Sequence, residues 1–346
     1  MKSRRDGANT SEIVLGRLYT DSRLSIRKLS QETGVSYSKV SKSLKELQKR
    51  FGVHYTVDLG VEQLGFGEDR LICVSFGDKP DPEKLRSFLR TRPLVQNAYA
   101  AYGDYDLVMH VVAPKKSDYL RFEFKTKVEL GRHRPTFEVA TINDYVEGFL
   151  PATNDLLDIG SGISGDEKTL LSIMLKNSRL RLKDLVKKTG FSAIKIIYMI
   201  RRLEKRGVIN RFSCTVQRPE KKVFMFYTAT STYVPEHKPK LQADFIRRVI
   251  SGEEHGNLTS DYSVVCDTSG HFDSALFCNF DDATAVGERG PSLMRRCWAV
   301  ENPVIKSCML TEVLKGDWPF QKNGYVKWRS VLNGIQKKPM KFEMLE

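Results

Sequence analysis

The stretch GVSYSKVSKSLKELQKR, residues 34–50, decides the fold that we predict for this chain. Val40, Leu44 and Leu47 recur in it at helical spacing and form one apolar seam. The opposite face of that helix carries hydroxyl and ammonium groups, and its first acid is Glu46. These groups belong to Tyr37, Ser38, Lys39, Ser41, Lys42 and Lys45.

The residues at the start of this stretch predict a turn between two helices. Gly34 can adopt the left-handed backbone that ends a preceding helix, and Ser36 is a good N-cap for the next one. A short helix at 26–33, a glycine turn and a basic second helix predict a helix-turn-helix, whose second helix reads the major groove of DNA. Residues 53–57 are β-rich and suit a wing. An ordinary amphipathic helix with a solvated basic face is the alternative for this segment alone.

The positive charge of the chain is concentrated in two blocks. The 346 residues carry a net charge of +14, of which residues 1–56 contribute +7 and residues 165–221 contribute +10. The remainder is slightly acidic, at −3. Two separate basic modules indicate two contacts with a polyanion such as double-stranded DNA. No apolar run is long enough to span a membrane and no signal core follows the N-terminus, so we expect a cytoplasmic, nucleoid-associated protein with no membrane partner.

The six cysteines show no CxxC spacing and lie mostly beside apolar or aromatic residues. This pattern predicts buried, reduced thiols rather than a zinc site or a disulfide framework. No nucleotide-binding glycine loop, catalytic triad or metal-ligand cluster is evident, so we expect no cofactor, no metal and no catalytic residue.

A second copy of the opening segment lies 156 residues further along the chain. Over 32 positions aligned without a gap, eleven residues are identical, among them Ser22/Ser178 and Gly34/Gly190. Because a generic amphipathic helix has no reason to recur together with its flanking turn, the repeat favours the helix-turn-helix interpretation.

Behind each basic copy the hydrophobic pattern predicts the element order β-α-β-β-α-β. In the first copy, strands are predicted at 69–77, 95–102, 105–112 and 136–146, and helices at 81–92 and 117–130. In the second copy, strands are predicted at 223–233, 258–266, 272–280 and 304–314, and helices at 240–250 and 283–298. The predicted class is therefore α+β, with two winged helix-turn-helix units each followed by a ferredoxin-like βαββαβ domain. The predicted domains are a first winged unit at 1–60, a first βαββαβ domain at 66–148, a linker at 149–165, a second winged unit at 166–218, a second βαββαβ domain at 220–315 and a C-terminal tail at 316–346.

This combination resembles the leucine-responsive/asparagine-regulator (Lrp/AsnC) family, in a tandem-duplicated form. The most specific matching segments are 23–47 and the hairpin YGDYDLV at 102–108. The resemblance implies a DNA-binding transcription regulator that assembles through its βαββαβ domains as a homo-oligomer. It also implies an amino-acid or small-metabolite effector site near Gly103, Asp104 and Asp106. His271 replaces Asp104 in the second copy, so a ligand there would differ or be absent.

The two predicted recognition helices differ in chemistry. Where the first has Ser38 and Ser41, the second has Ile194 and Ile197, so we expect the first copy to carry most of the sequence readout and the second to hold the DNA backbone or dock a partner. The predicted DNA contacts are Arg27, Ser36, Tyr37, Ser38, Lys39, Ser41, Lys42, Lys45, Ser192, Lys195, Tyr198, Arg201 and Arg202.

Two other functions stay open on the sequence. One is a chromatin-like architectural protein that coats DNA with little sequence preference. The other is an enzyme, because a tandem pair of such units also resembles the sirohaem decarboxylases; its candidate residues are His54, His110, His133 and His271. The concentration of charge on the helix-turn-helix units argues against the enzyme, so the sequence predicts a protein that is not one.

Overall fold

The computed structural model of this chain describes residues 10–216, 223–230, 262–280, 282–288, 290 and 304–318. The first helical unit consists of α1 (Thr10–Thr20), α2 (Ile26–Thr33) and α3 (Tyr37–Glu46). After α3 the chain makes one wider π-helical turn, Leu47–Phe51, which Gly52 ends with a left-handed backbone at φ 58°. The predicted second helix of the motif is therefore two helical segments, because the hydrogen-bonding pattern widens at Leu47.

The second helical unit is α7 (Gly165–Lys176), α8 (Leu182–Thr189) and α9 (Ala193–Lys205). It begins with a capping box: the Ser164 hydroxyl accepts from the Glu167 amide, and the Glu167 carboxylate accepts from the Ser164 amide. The segment predicted as a linker contains a further short helix, α6 (Asn154–Ile159), whose leucines at 156 and 157 are buried against this unit.

Strands β1 (Val53–Leu59) and β6 (Ile209–Val216) follow the two helical units and pair with each other. The pairing is antiparallel and places Tyr55 opposite Cys214. Residues 53–57, predicted to suit a wing, form the larger part of β1, and the strand of the other unit is the partner of β1 in its ladder. This two-stranded sheet thereby joins the two helix-turn-helix units.

The remaining strands form one closed barrel. Its strands are β2 (Glu68–Phe76), β3 (Val95–Gly103), β4 (Leu107–Ala113), β5 (Pro135–Glu147), β7 (Val223–Thr230), β8 (Tyr262–Gly270), β9 (Ser274–Phe280) and β10 (Val304–Lys315). The order around the barrel is β10-β3-β4-β2-β5-β8-β9-β7. Each half of the chain therefore contributes four antiparallel strands in the same relative order, which confirms the mixed helix-and-strand class predicted from the sequence.

Two ladders that join the halves close the barrel, and the sequence did not predict them. Strand β3 pairs with β10, with Gly103 opposite Cys308, and β5 pairs with β8, with Ala140 opposite Gly270. At Gly103 (φ 141°) an added Cβ would lie 2.6 Å from the carbonyl oxygen of Ser307. A side chain is excluded there, so the close approach of the two halves depends on glycine.

The barrel wall separates an apolar interior from the apolar clusters outside it, because strand residues alternate between its faces. Along β4, Val108 faces an interior rich in aromatic rings, including Tyr99 and Phe226, while Met109 faces the helices outside. Those helices are α4 (Pro82–Arg90) and α5 (Lys116–Leu130), as predicted for the first half. In the second half the predicted helix at 240–250 lies outside the described residues, and of the helix predicted at 283–298 the described part is helical at 283–288.

The cysteines are free and buried at the five described positions, Cys73, Cys214, Cys266, Cys278 and Cys308. Burial raises the pKa of Cys214, because the thiolate would lose its hydration. The prediction of reduced, packed thiols is thus confirmed for these five.

Candidate nucleic-acid interface

The first helix-turn-helix is positioned by a small apolar core. Val40 and Leu47 pack against Leu29 of α2 and against α1, and all three side chains are buried. The Ser25 hydroxyl caps α2 by accepting from the Lys28 amide at 3.2 Å. This packing fixes which face of α3 points outwards.

The outward face of α3 carries the side chains that the sequence predicted as DNA contacts. Those at positions 36–39, 42 and 45 are exposed, with Tyr37 at 59%, and Ser41 is half-buried. Arg27, near the start of α2, is exposed as well. Lys39, Lys42 and Lys45 form no ion pair with any described residue, so their ammonium groups are free to contact phosphates.

The second helix-turn-helix uses the same design with a different outward face. Ser192 caps α9 by accepting from the Lys195 amide at 3.3 Å, and Gly190 ends α8 with a left-handed backbone at φ 73°. Ile194 is 81% exposed and Tyr198 is 64% exposed. Since Ile194 and Tyr198 are four residues apart, they form one outward apolar strip on the recognition helix.

Acidic residues of α7 form ion pairs with two of the α9 cations that the sequence predicted as DNA contacts. Lys195 Nζ lies 2.7 Å from Asp166 Oδ2, and Arg202 Nε lies 3.7 Å from Glu167 Oε1. The Glu167 carboxylate is buried and held by the capping box, so it is a fixed partner. Arg201 is exposed and forms no ion pair within the described part of the chain. Sequence reasoning missed these acids because they lie about thirty residues away, on another helix.

The two helical units meet at a buried polar contact between residues that the repeat aligns. The Ser22 and Ser178 hydroxyl oxygens lie 2.7 Å apart, and both side chains are fully buried. Arg23 Nη1 donates to the Ser178 carbonyl at 2.5 Å, and Arg179 Nη1 donates to the Ser22 carbonyl at 2.5 Å and to the Leu24 carbonyl at 2.8 Å. The contact is reciprocal, so each unit satisfies backbone carbonyl groups of the other.

The guanidinium groups of this contact also lie over aromatic rings of the neighbouring strands. Arg23 lies 5.3 Å from the centre of the Phe212 ring, and Arg179 lies 5.5 Å from that of Tyr55. Burial lowers the pKa of Arg23 to about 10, with Asp21 opposing this effect, so the group stays protonated at neutral pH. Sequence reasoning aligned Arg23 with Arg179 but gave neither a role.

The predicted effector residues lie where the two halves of the barrel join. The Ser307 amide donates to Asp104 Oδ2 at 2.6 Å, and the Asp104 amide donates to the Ser307 carbonyl at 2.9 Å. Asp106 accepts from the Phe76 amide at 2.8 Å and forms an ion pair with Lys79 at 2.8 Å. Both carboxylates therefore join strands in this structure, and effector binding at Gly103, Asp104 and Asp106 stays a prediction.

A buried polar group on the barrel wall surrounds His110. His110 Nε2 lies 2.7 Å from Asp69 Oδ1, and Asn97 Nδ2 lies 3.2 Å from His110 Nδ1. The amide of Asn97 donates, so Nδ1 accepts and Nε2 carries the proton that is donated to Asp69. Tyr145 donates its hydroxyl to the other oxygen of Asp69 at 3.2 Å. The arrangement fixes the tautomer and orientation of the imidazole.

The other candidate histidines occupy three separate places. His54 lies on β1, with Nδ1 3.0 Å from Asp317 Oδ2 and Nε2 3.0 Å from the Lys176 carbonyl oxygen. His133 contacts the Asp78 carbonyl, and His271 contacts backbone groups of β5. The four histidines are therefore not brought together into one site.

Two general properties bear on the kind of site. Within the described ranges, no cluster of three or more His, Cys, Asp or Glu side chains has a geometry that could hold a metal ion. None of the described helices is both long enough and apolar enough to cross a membrane.

Comparison with known proteins supports the nucleic-acid interpretation of the second unit. A family model described as winged helix-turn-helix DNA-binding matches residues 167–210, which include α8 and α9. A comparison with curated proteins finds no match.

Among solved structures, the siroheme decarboxylase NirDL is similar along almost the whole chain. It is 17% identical, with a TM-score of 0.52, and the match covers 95% of this chain and 100% of that chain. Its complex with an iron-uroporphyrin III analogue gives a TM-score of 0.53 over the same coverage. The transcriptional regulator NMB0573 of Neisseria meningitidis, solved with L-Met, is 21% identical over 41% of this chain and 94% of that chain, with a TM-score of 0.35.

The expectation that the chain is not an enzyme is contradicted by these matches. One protein that is similar over 95% of this chain is a siroheme decarboxylase, so the concentration of charge on the helical units does not exclude catalysis. At 17% identity the similarity shows the shared fold alone.

Proposed function

We propose that this protein is a DNA-binding transcription regulator of the Lrp/AsnC type, with two non-equivalent copies of the family's unit in one chain. The observation that carries the proposal is the outward face of α3, where exposed hydroxyls stand beside three lysines that form no ion pair among the described residues. The winged helix-turn-helix match to residues 167–210 and the gap-free repeat support the same assignment for both units.

In this proposal the two kinds of side chain on α3 have different tasks. Lys39, Lys42 and Lys45 neutralise phosphates, which supplies affinity and positions the helix without reading sequence. Tyr37 and Ser38, near the N-terminus of the helix, approach base edges in the major groove.

The test is DNA binding by the full chain as a function of salt. A duplex selected from a random pool is titrated with protein, and the affinity is followed by fluorescence anisotropy between about 50 and 200 mM salt. We expect Lys39→Ala and Lys42→Ala each to weaken binding and to reduce the slope of log affinity against log salt by about 1. Lys125→Ala is the matched control, because Lys125 is an exposed lysine on α5 and lies outside the interface.

Two results would overturn the proposal. One is the absence of salt-dependent binding by the unaltered chain. The other is an unchanged affinity and salt slope in both α3 variants, which would mean that the cations of this helix do not contact DNA.

A second candidate function is decarboxylation of a tetrapyrrole, and the full-length fold similarity to siroheme decarboxylase favours it. The chain residues that could serve such a site are the buried His110 and its partner Asp69, since their contact fixes a proton on His110 Nε2. Titration of the purified protein with iron-uroporphyrin III, followed by its visible absorption, tests binding. Incubation with siroheme, followed by mass spectrometry for the loss of carboxyl groups, tests the reaction. Unchanged spectra and product masses would remove this candidate and leave the DNA proposal unaffected.

A further inference from the structure

The recognition helix of the second unit presents an apolar face at the positions where the first presents polar groups. The repeat aligns Ile194 with Ser38 and Tyr198 with Lys42. Ile194 is 81% exposed and Tyr198 is 64% exposed, so both side chains are available to a partner. At position 194 the outward face of α9 therefore lacks the hydroxyl with which Ser38 would read a base edge, and at position 198 it presents an aromatic ring in place of an ammonium group.

We propose that α9 reads the methyl groups of thymine through Ile194 and Tyr198, and that the preferred DNA site is consequently asymmetric. The inference rests on the proposed DNA-binding function and names the base chemistry that the second unit recognises. Thymine is the base that presents a methyl group in the major groove, and apolar side chains recognise it by contact. One half of the site is thus defined by thymines facing α9, and the other by polar base edges facing α3.

The surroundings of the strip favour DNA over a protein as its occupant. On the same helix, Lys195 and Arg202 lie beside the two apolar side chains, and Arg201 continues their strip towards the C-terminus. Positive charge beside an apolar strip complements a phosphate backbone at the edge of a groove. A stable protein interface needs about 800 Å² from each partner, which is much more than two side chains supply.

The ion pairs of α9 are compatible with thymine contacts, because they hold two of the cations in place and leave Ile194 and Tyr198 exposed. Asp166 holds Lys195 and Glu167 holds Arg202, whereas Arg201 forms no ion pair among the described residues. Because Lys195 and Arg202 are paired with acids of α7, α9 gains less from phosphates than α3 does, and its sequence preference depends more on the apolar contacts.

The experiment replaces thymine with uracil, which removes only the methyl group. A duplex is selected with the unaltered full chain, and single thymines are then exchanged for uracil at each position of the site. Loss of one methyl contact is expected to weaken binding about fourfold, the effect of removing one buried CH₂ group. Ile194→Ala is expected to lose this sensitivity at one or more positions, while Ile194→Val and the first-unit control Ser38→Ala keep it.

Each outcome decides the inference. Salt-dependent binding that is insensitive to uracil at every position overturns it and leaves the proposed DNA-binding function intact. A failure to bind DNA at all removes the proposed function together with the inference. If Ile194→Ala keeps full uracil sensitivity but loses self-association, the strip is a protein contact and the inference is wrong. Circular dichroism verifies that the variants fold, as expected for a substitution at a side chain that is 81% exposed.

Discussion

The buried contact between the two helical units should behave as a strongly coupled pair on mutation. Ser22 and Ser178 each have a hydroxyl with no exposure to solvent, and the two oxygens lie 2.7 Å apart. Ser22→Ala leaves the hydroxyl of Ser178 buried without its partner, and Ser178→Ala does the same to Ser22. The expected cost of each single substitution is about 1–3 kcal/mol, which is the cost of an unsatisfied buried polar group.

The double variant should be less destabilised than the sum of the singles. When both hydroxyls are absent, no unsatisfied group remains, and the loss is about 1 kcal/mol, the net value of one hydrogen bond. The measurement is urea unfolding of all four proteins followed by circular dichroism, because helices dominate that signal. Ser38→Ala, an exposed serine on α3, is the control and should change the free energy of unfolding by less than about 0.5 kcal/mol. Additivity of the two single effects within about 0.5 kcal/mol would refute the pairing.

Three further substitutions test other parts of the structure. Gly103→Ala should lower the free energy of unfolding by about 1–3 kcal/mol, because φ is 141° and the new Cβ meets the β10 backbone. The control Gly131→Ala, whose new Cβ has nothing within 4 Å, should leave the free energy of unfolding unchanged. Thermal unfolding compares the two variants. Burial disfavours protonation of His54, but the Asp317 carboxylate outweighs it and raises the pKa above its ordinary 6.5. The stabilisation by this pair is therefore complete below about pH 6.5 and disappears as the pH rises through the raised pKa. His54→Gln should flatten the dependence of the melting temperature on pH. A parallel shift of the melting temperature at all pH values would contradict this. Asp166→Asn should release Lys195 for phosphate contact. DNA binding should become stronger and depend more steeply on salt, while the melting temperature stays almost unchanged. Weaker DNA binding would contradict this.

The local parts of the fold could be predicted because they depend on neighbouring residues. The helix predicted at 26–33 coincides with α2, since Ser25 and Gly34 mark both of its ends. The linker at 149–165 stays a prediction, but the local pattern did not indicate the short helix that this segment contains, with Leu156 buried.

Strand pairing between distant segments could not be predicted in the same way. Alternating apolar residues tell which face of a strand is buried, but they do not identify the strand beside it. Nothing in the pattern of residues 53–59 indicates a partner 150 residues away, and nothing around Gly103 indicates Cys308. The pairing of β1 with β6 and the closure of the barrel therefore appear only in three dimensions.

In the candidate interface, too, local features could be predicted and contacts between distant segments could not. The sequence predicted the exposed faces of α3 and α9 because helical periodicity separates an apolar seam from its opposite side. It did not predict that Asp166 and Glu167 hold Lys195 and Arg202, since the packing of α7 beside α9 brings these charges together.

The ladder between β1 and β6 has a consequence for how this protein responds to dilution. The two subunits of a dimer dissociate when the protein concentration falls below the dissociation constant. Segments on one polypeptide instead experience an effective concentration that the connecting chain sets, about millimolar for short flexible connections. The spacing between α3 and α9 should therefore persist at nanomolar protein, because the ladder that sets it lies within one chain.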